Sequence, residues 1–200
     1  VGTAWERVEW TSKAVMWLAY PGDRPVIDFG YRAGVEPGPL ARLNSASGGP
    51  HPYIDGLEAT NIGIIGFQTL NPATFRRLRM HDLLLGGDGT NAAFIMTITQ
   101  PVPAVGMVIQ DSEFYRVGAG SVTIKIYGQE KLLIEDTVHR NAQVGVELKN
   151  DIRRYTVRGN TFSATASVAL GGNMHTQTTN GEICFNYSTS PQVALDLNQD

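Results

Sequence analysis

The sequence predicts an all-β chain, a right-handed parallel β-helix with coils of about 25 residues. Three observations lead there. Five short apolar runs each end on a small acid or amide: Leu78-Arg79-Met80-His81-Asp82, Val108-Ile109-Gln110-Asp111, Leu133-Ile134-Glu135-Asp136, Val157-Arg158-Gly159-Asn160 and Ile183-Cys184-Phe185-Asn186. Their anchors are spaced by 29 (111−82), 25 (136−111), 24 (160−136) and 26 (186−160) residues. A near-constant period in this range marks a solenoid in which each repeat is one turn. From residue 93 a second ladder follows the anchors, and most of its members alternate apolar with small or polar residues, one face in and one out. Finally, 22 Gly, 10 Pro and a charged fraction of only 18% suit short strands and tight turns, not long surface helices.

The elements follow in order. Residues 1–20 hold all three tryptophans, Trp5, Trp10 and Trp17, and read as an N-terminal cap or as a first strand closed by Pro21-Gly22-Asp23. Val26-Ile27-Asp28-Phe29 and Tyr53-Ile54-Asp55 are the same kind of strand, separated by a Pro/Gly/Ser-rich loop insertion at 34–52. The second ladder comprises Phe94–Ile98, Val122–Ile126, Val144–Lys149, Val168–Leu170 and Val193–Leu197. Aligning its apolar positions stacks Lys125 over Lys149, both pointing outward. The anchors fall at one repeated corner, where stacked amides bond backbone and each other and where Asp111 and Asp136 bond backbone NH groups. In the first repeat Leu78 and Met80 are one position out of phase, so His81 holds that corner in place of Asp82. Residues 1–200 read as a single β-helix domain, part of a longer chain, because the pattern reaches both termini.

A net charge of −3 gives no basic footprint for nucleic acid. Cys184, the single cysteine, excludes an intrachain disulfide and reads as a buried structural thiol. No apolar stretch reaches the roughly 20 residues that span a bilayer, so no membrane partner is expected. No cofactor is expected either. Two oxygen-rich turns, around Asp88 and in Asp196-x-Asn198-x-Asp200, match Ca2+ loops only in part. Asn186-Tyr187-Ser188 is a formal glycosylation sequon, discounted because Asn186 is an inward corner residue.

The run from Val146 to Phe162, through Leu148-Lys149-Asn150-Asp151-Ile152-Arg153-Arg154-Tyr155-Thr156-Val157-Arg158-Gly159-Asn160, resembles right-handed β-helix proteins that act on polysaccharides. The style is that of chondroitinase B and alginate lyase type enzymes, and the coils are also similar to tailspike β-helices. Tyr20–Phe29 and Ile54-Asp55-Gly56-Leu57 look like early coils of that superfamily. The resemblance implies a catalytic lysine, matched by Lys149, and an arginine one coil later. There this chain reads Leu170-Gly171-Gly172-Asn173-Met174-His175.

A lyase needs a base for the proton alpha to a uronate carboxylate and cations to hold that carboxylate. The candidates are Lys149 as base, with Arg158 and His175 as carboxylate binders or proton donors. Lys125, Glu147, Asp151, Arg153, His139 and Asn173 are candidate substrate contacts. His139 follows the Asp136 corner in a turn, and His175 and Asn173 share a polar loop of the kind that carries function. Arg153 presents a fork suited to carboxylates and sulfates. The expected activity is lyase-like cleavage of an acidic, uronate-containing polysaccharide by a secreted or cell-surface protein. The alternative is a non-catalytic structural or carbohydrate-binding module of an adhesin, phage tail or surface fibre, forming a homo-oligomer or continuing into a longer chain.

Overall fold

The computed structural model describes residues 8–9, 16–30, 41–43, 51–70, 72–83, 93–97, 104–118, 121–163, 166–170, 180–189 and 195–196. Among them there is no helix, and every strand pairing is parallel. The chain visits three sheets in rotation. Face 1 stacks seven strands, among them Tyr53–Asp55, Thr74–Arg76, Val108–Gln110, Leu133–Glu135, Thr156–Arg158 and Glu182–Cys184. Face 2 also has seven, including Glu58–Thr60, Arg79–Leu83, Glu113–Val117, Val138–Arg140 and Thr161–Ser163. Face 3 has eight, with Ile65–Thr69, Ala93–Thr97, Val122–Tyr127, Val144–Lys149 and Ala166–Leu170 at its centre. This is the arrangement of a β-solenoid: each turn of chain is too thin to bury anything alone, and stacking makes the core continuous.

Backbone conformation sets the corners. Between faces 1 and 2 a left-handed residue recurs in each described coil from Tyr53 onward: Gly56, Arg77, Asp111, Asp136, Gly159 and Phe185, with φ between 49° and 79°. The next residue turns inward: Leu57, Leu78, Ser112, Thr137, Asn160 and Asn186. Between faces 2 and 3 Asn61, Asp82, Arg116 and Asn141 play the same part, and between faces 3 and 1 Gly106, Lys131, Arg154 and Asn180 do. Asn, Asp and Gly carry a left-handed φ at least cost, which is why they punctuate the sequence. Gly159 has a second reason, since the Asp136 carboxylate occupies the place a Cβ would take.

This pattern corrects several expectations. Asp111 and Asp136 hold the corner by their own left-handed φ, while Asn160 and Asn186 lie one step further on, inside it. In the first repeat neither His81 nor Asp82 makes that corner; Arg77 does, and Asp82 belongs to the next one. Met16–Leu18 is a strand of face 1, with Trp17 edge-on to Phe67, so this part of the N-terminal segment is a strand and not a cap helix. Inside the segment read as a loop, Ala41–Leu43 is a strand of face 3, and Leu43 is buried. Cys184 is partly exposed on the outward row of face 1, because it is the third residue of its strand and the inward position goes to Ile183.

The core is apolar, with a file of rings through it: Phe94, Phe114, His139 and Phe162, centroids 5.8, 5.2 and 4.7 Å apart. Strict alternation breaks on face 3. Phe94 and Ile95 are both buried, as are Thr123 and Ile124, so two consecutive side chains are enclosed there. Gly66 fits this crowding: a Cβ would meet the Met80 methyl and the Phe94 carbonyl, both at 2.6 Å.

One core position is poorly matched. Gln129 is fully buried, next to Ile152 by the Glu130–Arg153 bridge, and neither its Oε1 nor its Nε2 finds a hydrogen-bond partner. An unpaired buried amide costs roughly 1–3 kcal/mol. Gln129→Leu is therefore expected to stabilise the protein by about 1–2 kcal/mol, read as a rise in urea midpoint at unchanged slope. A fall in midpoint would show that the amide is satisfied.

Candidate functional site

The outward row of face 3 carries the densest set of predicted residues. Its register differs from the expected one: Lys125 pairs with Glu147, and Lys149 pairs with Tyr127. The strands are thus shifted by two residues, with Ile124 on Val146 and Ile126 on Leu148. A shift of two keeps the same residues outward, so alternation alone does not distinguish the registers. Lys125 and Lys149 consequently meet through Glu147 and not by direct stacking. Glu147 Oε2 lies 3.1 Å from Lys125 Nζ, and its Oε1 lies 2.9 Å from Lys149 Nζ.

Burial separates the two lysines. Lys125 is 2% exposed, with its ammonium 5.8 Å from the centre of the Tyr127 ring, whereas the Lys149 side chain is 29% exposed. Lys125 is thus not the solvated lysine the sequence suggests. It is enclosed beside a carboxylate and an aromatic face, which makes a buried ammonium tolerable. Burial pushes the Tyr127 phenol above its ordinary range, Lys149 pulls it down, and Glu147 adds to the rise. The buried Thr97 hydroxyl fixes the Tyr127 backbone, accepting from its NH at 2.6 Å and donating to its carbonyl at 2.9 Å.

The other candidates lie elsewhere. Asp151 and Arg153 follow in the corner region between faces 3 and 1, joined by a bidentate pair at 2.6 and 2.9 Å. Arg158 is on face 1, where Glu135 holds it at 2.5 Å. A corner separates it from Lys149, so their closeness in sequence does not bring them to one face. His139 lies within the strand Val138–Arg140, not in a turn, and is completely enclosed. The turn comes at Asn141, which leaves His139 at the inward position of its strand. Its Nδ1 lies 2.5 Å from Thr123 Oγ1 and its Nε2 2.6 Å from Thr137 Oγ1. Desolvation lowers its pKa to about 3, so the ring is neutral and faces no substrate. His175 and Asn173 lie outside the described residues.

Sequence reasoning missed a second polar cluster, on face 2. His81 Nε2 is 3.1 Å from Glu58, and its Nδ1 is 2.7 Å from Asp82 and 2.7 Å from Arg116. Its ring stacks on Tyr115 at 4.8 Å. The signal was a row of paired residues on successive coils, Glu58, Arg79 and Glu113, whose charges alternate two places along the strand from His81. Both His81 nitrogens already have partners, so the cluster reads as a stacked ion network on the outside of the solenoid.

Among the described residues no group of three His, Cys, Asp or Glu side chains is placed to hold a metal. No helix among them is long and apolar enough to cross a membrane. The arrangement that can do chemistry is therefore the part-exposed Lys149 with Glu147, Lys125 and Tyr127 around it. No family model matches the chain, and neither a curated protein nor a solved structure matches it.

Proposed function

We propose that the chain is a right-handed parallel β-helix of about 25 residues per coil that cleaves an acidic, uronate-containing polysaccharide by lyase-like elimination, outside the cell where such polymers lie. Register offsets of 25 for Val108 on Leu133, 23 for Leu133 on Thr156 and 26 for Thr156 on Glu182 support the coil length. The observation that carries the activity is the pair of lysines on adjacent coils sharing the Glu147 carboxylate. The pair holds one carboxylate between two cations, and Lys149, the part-exposed member, is the one a substrate uronate can reach. Lys149, the more exposed of the two, is the candidate base for the alpha proton.

One observation favours a second reading, a non-catalytic module of an adhesin, phage tail or surface fibre. Every described arginine from Arg76 to Arg158 is already in an ion pair. The charges of faces 1 and 2 are thus largely paired within the solenoid.

The protein is to be incubated with alginate, pectate, chondroitin and glucuronan, and the ultraviolet absorbance of unsaturated uronate followed. The expected result is a rise with one of these polymers that is lost in Lys149→Ala, with circular dichroism unchanged. Silence towards all four from folded protein sinks the lyase reading and leaves the structural module.

A further inference from the structure

Elimination across a glycosidic bond needs two proton transfers, one from carbon and one to the leaving oxygen. Lys149 supplies at most the first. Of the groups the sequence offered for the second, His175 lies outside the described residues, His139 is sealed in the core and Arg158 faces another side of the solenoid. Lys125 is enclosed and held by Glu147. The remaining acid on this row is Tyr127, half-buried, one coil from Lys149 and in register with it. We propose that Tyr127 is the proton donor to the leaving oxygen; this rests on the lyase reading above.

Three features fit the role. Parallel neighbours in register stand about 4.8 Å apart, so Tyr127 and Lys149 rise from paired positions on adjacent coils and face the same stretch of bound polymer. Thr97 grips the Tyr127 backbone from inside through both its NH and its carbonyl, which holds the ring's starting point rigid. Partial burial keeps the phenol protonated, against the opposing pull of Lys149 and with a push from Glu147, so the donor carries its proton at neutral pH. In the step, the carbon–hydrogen bond alpha to the uronate carboxylate breaks as Lys149 takes the proton. The electron pair becomes the new carbon–carbon double bond, the bond to the glycosidic oxygen breaks, and that oxygen takes the Tyr127 proton. Solvent then returns a proton to the phenolate and removes one from Lys149.

Tyr127→Phe removes only the hydroxyl, keeping the ring beside Lys125 and both backbone bonds to Thr97. The expected loss in kcat on polysaccharide is roughly a hundredfold or more, with affinity for the polymer unchanged. A substrate with fluoride at the leaving position needs no proton on its leaving group, and there Tyr127→Phe should run near the wild-type rate. If the variant loses both substrates equally, or loses neither, Tyr127 is not the donor while the lyase reading stands. If wild-type protein eliminates nothing from any uronate substrate, both readings are overturned together.

Discussion

Urea midpoints are expected to fall steadily as the pH drops from about 6.5 towards about 3, and His139 is the main cause. In the unfolded chain this imidazole titrates near its ordinary value of 6.5; in the folded protein burial lowers it to about 3. Between those values the unfolded state binds a proton that the native state refuses. The sign follows: stability is full above the unfolded value and declines throughout the window as pH falls. A shift of this size is worth about 4–5 kcal/mol across the whole window, comparable with the total stability of many domains. Asp55 and Glu135 also have depressed carboxyls, held down first by hydrogen bonds from Arg77 and Gln110 respectively. Their contribution is lost only as the pH enters the ordinary carboxylate range and falls below it, so the loss at mildly acid pH belongs to the histidines: His139 with its large shift, and His51, which desolvation also lowers. His139→Phe extends the ring file and leaves Thr137 bonded to Asn160 and Thr123 to Gly145. That variant should lose most of the dependence above about pH 5, His51 accounting for what remains. Parallel curves for variant and wild type would refute the assignment.

Asn160→Ala should be the most damaging single truncation at a corner. The side chain is 1% exposed and works in every direction. Its Oδ1 accepts from the Thr137 NH at 2.9 Å and the Thr137 hydroxyl at 2.6 Å. Its Nδ2 donates to the Ile134 carbonyl at 3.2 Å and to Asn186 Oδ1 at 3.0 Å. Alanine leaves several of these buried groups without a partner, at roughly 1–3 kcal/mol for each unsatisfied group. The expected total, about 3–5 kcal/mol, reflects partial relief by rearrangement and is measured by denaturant titration. Asn186→Ala removes one neighbour of the same ladder near the last described coil and should cost less. Equal losses at the two positions would show that the ladder is not cooperative.

The solenoid was legible because its corners demand particular residues. A left-handed φ selects Asn, Asp and Gly, as at Asp111 and Asp136, while Asn160 and Asn186 recur because an inward amide bonds the coil beside it. The first described repeats were harder. Arg77 takes the corner there, and an arginine at positive φ carries no signature. Lys125 and His139 were misread for a related reason. Alternation tells which residues share a side of a strand, but not how deeply that side is covered, nor where a strand bends to enclose two consecutive residues. The division of the candidate site had another source. Lys149 and Arg158 are nine positions apart in sequence, yet the chain turns a corner between them at Arg154. A reading that tracked corners as well as anchors would have put them on separate faces.

The left-handed corner columns also bear on how such a chain changes over time. Each coil carries its own instructions for when to turn, written in one or two residues per corner and read locally by the backbone. The coil from Leu133 to Tyr155 enters and leaves at positions equivalent to those of its neighbours. A duplicated or deleted unit of this kind would therefore preserve the phase of everything beyond it. Length becomes a heritable variable separate from shape, and new surface can arise by copying a coil without redesigning the core it joins.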